Sequence, residues 1–164
     1  MLATAKSLFG KLIEITLILL MVGLTIVVLV AVAYRLAGNS LSWYDEIASI
    51  LLAWITYYGS ALAALRRGHI GFDSVLLALP RTMRIAGALV AEVIVIGFMA
   101  LMTWAGLRVL SVLEGEALVS LTWMPVQLTQ SVIPIGAALF IVAELLSLPD
   151  YLRSVAEGHS LGSH

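Results

Sequence analysis

The sequence predicts an all-α integral membrane protein with four transmembrane helices, both termini cytoplasmic, and a short interfacial helix in the middle cytoplasmic loop. Three observations predict it. Of its 164 residues, 62% are hydrophobic and 12% charged, where soluble domains run at roughly 45–50% and about 25%. Four apolar stretches are each long enough to cross about 30 Å of hydrocarbon as a helix. The basic residues fall in the connections, mostly on one side.

The spans are expected at about residues 12–36, 44–66, 83–110 and 121–147, judged by the ~20 apolar residues a spanning helix needs. The first follows Lys6 and Lys11. Its apolar run is too long for a cleaved signal peptide and reads as a retained signal anchor. The second opens with Trp43, Asp45 and Glu46, acidic residues that suit the positive end of a helix dipole. The third carries one charge within the bilayer, Glu92. The fourth contains Pro134, which removes a backbone hydrogen bond and is expected to kink it. Strands are excluded, because a barrel strand would be about half as long and would alternate.

Seven of the nine basic residues (Lys6, Lys11, Arg66, Arg67, Arg81, Arg84 and Arg153) flank the ends that share a side with the termini. Arg35 and Arg108 lie on the other. The positive-inside rule makes the first side cytoplasmic. Tyr34, Trp43, Tyr44, Trp104 and Trp123 then fall at the outer interface, where amphipathic rings prefer to sit. In the middle loop, Asp73 suits the cap of a short helix ended by Pro80, whose apolar residues would lie in the headgroup region. Residues 156–164 are expected to form a flexible tail. With no internal repeat, one membrane domain is expected.

Several function classes are excluded. The net charge is −1 and no basic run occurs, so no nucleic-acid partner is expected. Cysteine is absent, which removes disulfides, thiol catalysis and thiolate metal sites. His69, His159 and His164 lie outside the spans, which disfavours a haem anchor. Neither a phosphate loop nor a nucleophile elbow is present, so neither an enzyme nor a cofactor on this chain is expected.

The remaining candidates are few. Glu92 is intramembrane, and such groups are functional by default. It reads either as a coupling carboxylate or as a hydrogen-bonded packing residue, and no basic residue lies at matching depth in the other spans. Trp54, Tyr57 and Tyr58 recur at helical spacing and suit either internal packing or a partner face. Trp43, Asp45, Glu46 and Pro134 join them as candidate partner contacts. Arg66, Arg67, Arg81 and Arg84 are candidate contacts to anionic lipid headgroups.

The order Trp43, Asp45-Glu46, Trp54, Gly59-Ser60-Ala61, Arg67, His69-Ile70, Asp73 resembles the small, DctQ-like membrane subunit of TRAP (tripartite ATP-independent periplasmic) transporters. Leu121 to Pro125 and Ile133 to Gly136 are similar to that family's last helix. The resemblance implies a bacterial or archaeal cytoplasmic (inner) membrane protein that partners a large elevator-type subunit. That subunit would carry the sodium and substrate sites. A periplasmic substrate-binding protein would deliver an organic acid. The small subunit would be a scaffold. Two other readings share the architecture: a self-contained four-helix exporter using Glu92, and the small subunit of a tripartite tricarboxylate-type carrier.

Overall fold

A computed structural model describes residues 2–67 and 80–158. The short helix expected around Asp73, and the end of the expected tail, lie outside the described residues. Five helices follow in order: α1 (Leu2–Leu36), α2 (Tyr44–Leu65), α3 (Arg81–Val112), α4 (Val126–Gln130) and α5 (Val132–Glu157). With α4 and α5 taken as one rod, four helices are long and apolar enough to cross a membrane. Among the described residues the sole β pairing is an isolated bridge between Ala117 and Pro125.

Each helix end has a local cause. Gly38, at φ 84°, closes α1. Its amide donates to the Arg35 carbonyl and that of Asn39 to the Tyr34 carbonyl, a Schellman closure that needs a left-handed residue. Pro80 stands before α3 as its N-cap. The split between α4 and α5 at Ser131 follows from Pro134. Its ring cannot donate to the Gln130 carbonyl four residues back and crowds it. Gly158, left-handed at φ 82°, ends α5.

The helices stand in a row, in the spatial order α1, α2, α5, α3, with α1 touching α5 only slightly. The last rod is central: 44% of its apolar window is buried, against 6% for α1 and 11% for α2 and α3. Small residues make the close contacts. Ala61, Ala64, Leu65, Phe140 and Ala143 join Ile13 in the core. A Cβ on Gly136 would lie 2.6 Å from the Tyr57 Cβ, and one on Gly106 would lie 2.8 Å from Pro134 Cδ. In lipid, where greasy surface gains little from burial, such close backbone approach is the main source of helix association. Gly59, which has small-xxx-small spacing with Ala63, faces open space and makes no such crossing. Large apolar side chains such as Leu19, Ile26, Val93 and Phe98 project outward from the flanking helices.

The start of α1 and the last turns of α5 lie together at one end of the bundle, where Lys6 of α1 pairs with Asp150 of α5 at 2.8 Å. Helix α2 has 22 residues, α1 has 35 and the rod Val126–Glu157 has 32. At 1.5 Å per residue α2 is about 33 Å long, while its neighbours run to about 50 Å. They therefore continue past its end, and Arg66 and Arg67, which follow Leu65, meet helix walls.

Candidate functional site

The shortness of α2 creates the most unusual site in the chain. Arg66 turns outward to Glu14 of α1, 2.9 Å away, with both side chains well exposed. Arg67 turns inward. Its φ of 52° makes it the one described non-glycine residue with a left-handed backbone, a conformation that costs an arginine roughly 1 kcal/mol or more. This twist sends the guanidinium between α3 and α5.

There it meets two carboxyl groups. Nη1 donates to Glu92 of α3 in a charge-assisted hydrogen bond. Nη2 lies 2.8 Å from Oε2 of Glu144 of α5. That second contact is an ion pair without hydrogen-bond alignment, since the same oxygen has no hydrogen-bond partner. Nη2 also reaches the Glu144 backbone carbonyl at 3.4 Å. The Tyr151 ring stacks on the guanidinium at 4.4 Å, a favourable cation–π geometry. The side chains of Arg67, Glu92 and Glu144 are only 13%, 9% and 7% exposed. Glu92 lies eleven residues beyond the start of α3, about 16 Å along its axis.

This arrangement corrects one sequence-based expectation and bears on another. Glu92 has a basic partner beside it, because α2 ends early and brings Arg67 to it. Arg67, expected at the headgroups, turns its mostly buried side chain into the ion cluster. Glu144 joins them from within α5, which continues thirteen residues past it to Glu157. Arg84 is also drawn inward, donating to the Val155 carbonyl near the end of α5 at 3.3 Å. Arg66 and Arg81 remain exposed.

The candidate partner contacts divide. Pro134 is buried against Gly106 and so is not open to a partner. Tyr57 seats its Cβ and ring over Gly136. Tyr58 stacks on Trp54, with ring centroids 5.7 Å apart, and packs on the core. At the opposite end of the row, Glu46 accepts hydrogen bonds from the amides of Val119 (3.2 Å) and Ser120 (3.0 Å) and from the Ser120 hydroxyl. It therefore ties the start of α2 to the α3–α4 connection. Trp43 is half-buried and Asp45 exposed. Among the described residues no group of three or more His, Asp or Glu is placed to hold a metal.

The family model for the DctQ component of tripartite ATP-independent periplasmic transporters matches residues 24–153. The chain belongs to the DctQ family. The match touches all four spanning rods and includes Arg67, Glu92, Glu144 and Tyr151, so the ion cluster lies wholly within the family region. No curated protein matches the chain. DctQ proteins are components of transporters rather than enzymes, and the tripartite system implies a large membrane subunit and a binding protein as partners.

Proposed function

We propose that this DctQ-family chain is the small scaffold subunit of a TRAP-type secondary transporter. In this reading it supports a large elevator-type membrane subunit in sodium-coupled, binding-protein-dependent uptake of an organic acid. Sodium and substrate bind the large subunit, and the binding protein delivers substrate from the periplasm. Both termini face the cytoplasm of a bacterial or archaeal cell, with Arg66 and Arg81 against headgroups.

The observation that carries the scaffold role is the ion cluster. An elevator partner moves against a part that must not deform. Arg67 bridges α3 and α5 from the end of α2, and the close crossings at Gly106 and Gly136 bring the same helices together. The intramembrane charge that an exporter would use, Glu92, is engaged by Arg67. Trp43, Asp45 and Trp54 keep surface for a partner, and the apolar flanks of α1 and α3 offer more.

The test is purification of the full chain from its native membrane in mild detergent. Recovery of a large polytopic protein in equal amount, and sodium-driven uptake after reconstitution with the binding protein, is the expected result. Recovery as a homo-oligomer that transports alone, with transport abolished by Glu92→Gln, would overturn the scaffold reading.

A further inference from the structure

Among the described residues, the charges between α2, α3 and α5 do not balance. One guanidinium, mostly buried, faces two buried carboxyl groups. A net negative charge sealed inside a membrane-embedded junction is strongly unfavourable. The other charged groups described nearby are engaged elsewhere. From α1, Lys6 pairs with Asp150 and Glu14 with Arg66. From the start of α3, Arg84 donates to the Val155 carbonyl. On α5, the Tyr151 ring covers the guanidinium face.

The carboxyl groups also have unmet capacity. Among the described residues, Oε2 of Glu92 and Oε2 of Glu144 are buried without a hydrogen bond, although both carboxyl groups converge on the same guanidinium. Two ionised carboxylates cannot bond to one another, because both only accept. A carboxyl and a carboxylate can, and one added proton corrects both the charge count and the bonding deficit.

We propose that the Glu92–Arg67–Glu144 cluster is a proton-binding site, holding one exchangeable proton between its two carboxyl groups. With that proton the cluster is neutral. One carboxyl is ionised against Arg67, the other is a neutral acid donating to it, and the junction of three helices is closed. Loss of the proton leaves two anions on one cation and loosens the junction. This concerns the chain's own interior and does not depend on what the transporter carries.

The test is infrared spectroscopy of the full transporter complex in lipid nanodiscs at neutral pH, in ordinary and heavy water. The expected result is a protonated-carboxyl C=O stretch, sensitive to deuterium, that both Glu92→Gln and Glu144→Gln remove. In either variant the remaining carboxylate is ionised against Arg67. The band should persist in His69→Gln, which changes the titratable side chain two residues along the chain.

Thermal unfolding separates this from a merely structural cluster. Each single Gln variant mimics the protonated acid and should unfold within about 2 °C of the parent. Arg67→Gln and the double Glu92→Gln, Glu144→Gln variant should fall further. The folded parent holds one proton more than the unfolded chain, so its midpoint should drop as pH rises above neutral, and the single variants should lack that component. Absence of any band removed by both variants would overturn the proposal. So would single variants as unstable as Arg67→Gln, since both carboxyls would then be required as anions.

Discussion

Replacing Gly136 by alanine should destabilise the chain, although alanine is the better helix former. The added Cβ would stand 2.6 Å from the Tyr57 Cβ, 2.8 Å from Cδ1 and 3.0 Å from Cγ. Carbon atoms pack best at about 3.5–4.0 Å, so the shortfall is about 1 Å. The Tyr57 Cβ is fixed to its backbone and cannot rotate away, so α2 and α5 must separate or tilt. Overpacking of this kind costs about 1–3 kcal/mol, and the upper end applies because no flexible side-chain tip can yield. Helix propensity returns about 1 kcal/mol, leaving a net loss of about 2 kcal/mol. At roughly 2–4 °C per kcal/mol, the unfolding midpoint should fall by about 4–8 °C. Gly59 and Gly97 have nothing within 4 Å of an added Cβ. Their alanine variants should hold or raise the midpoint. The assay is thermal unfolding of the purified complex followed by tryptophan fluorescence. A Gly136→Ala variant that unfolds at or above the temperature of Gly59→Ala would refute the reasoning. So would rescue by Tyr57→Ala, which leaves the offending Cβ in place.

The other expectations follow from the charges. Arg67→Lys should behave as a loss and not as a conservative change, because a compact ammonium lacks the planar fork that spans Glu92 and Glu144. Breaking such a buried pair costs about 3–5 kcal/mol, and a midpoint equal to the parent's would exclude the clamp. Asp150→Asn removes an ion pair whose aspartate side chain is 55% exposed. It should cost under about 1 kcal/mol, so a fall as large as that of Arg67→Lys would contradict the ranking by burial. Glu46→Gln should speed hydrogen exchange at the Val119 and Ser120 amides without changing it in α5. Unchanged exchange at those two amides would show that Glu46 does not hold the connection.

The four spans were legible in the sequence because lipid selects for length and apolarity, both of which are one-dimensional properties. The spatial order of the helices was not. In a soluble bundle the apolar stripe of each helix names its buried face. Here α1 is apolar all round, and its outward Leu19 and Ile26 look like any core residue. What marks the inner faces is small size at a crossing, and the sequence offers more small residues than crossings. Gly59 and Gly136 are indistinguishable until α5 is known to lie between α2 and α3.

The ion cluster was half legible, and the missing half has a definite cause. Glu92 stands out because a lone carboxylate in an apolar helix demands a partner. Its partner is hidden because depth is reckoned from span ends, and spans of unequal length put residues near different ends at one level. The local chain also points the wrong way. Gly68 follows Arg66-Arg67, and a glycine is the natural left-handed residue after a helix. The chain is already left-handed at Arg67, at φ 52°. That choice is unfavourable locally, and so it must be offset by something beyond the turn. The contacts that offset it, to Glu92, Glu144 and Tyr151, all come from helices distant in sequence. A local rule broken at a single residue and repaired by three long-range contacts is the expected mark of a site under functional constraint. In this chain it coincides with the junction of the three helices that a scaffold would most need to hold still.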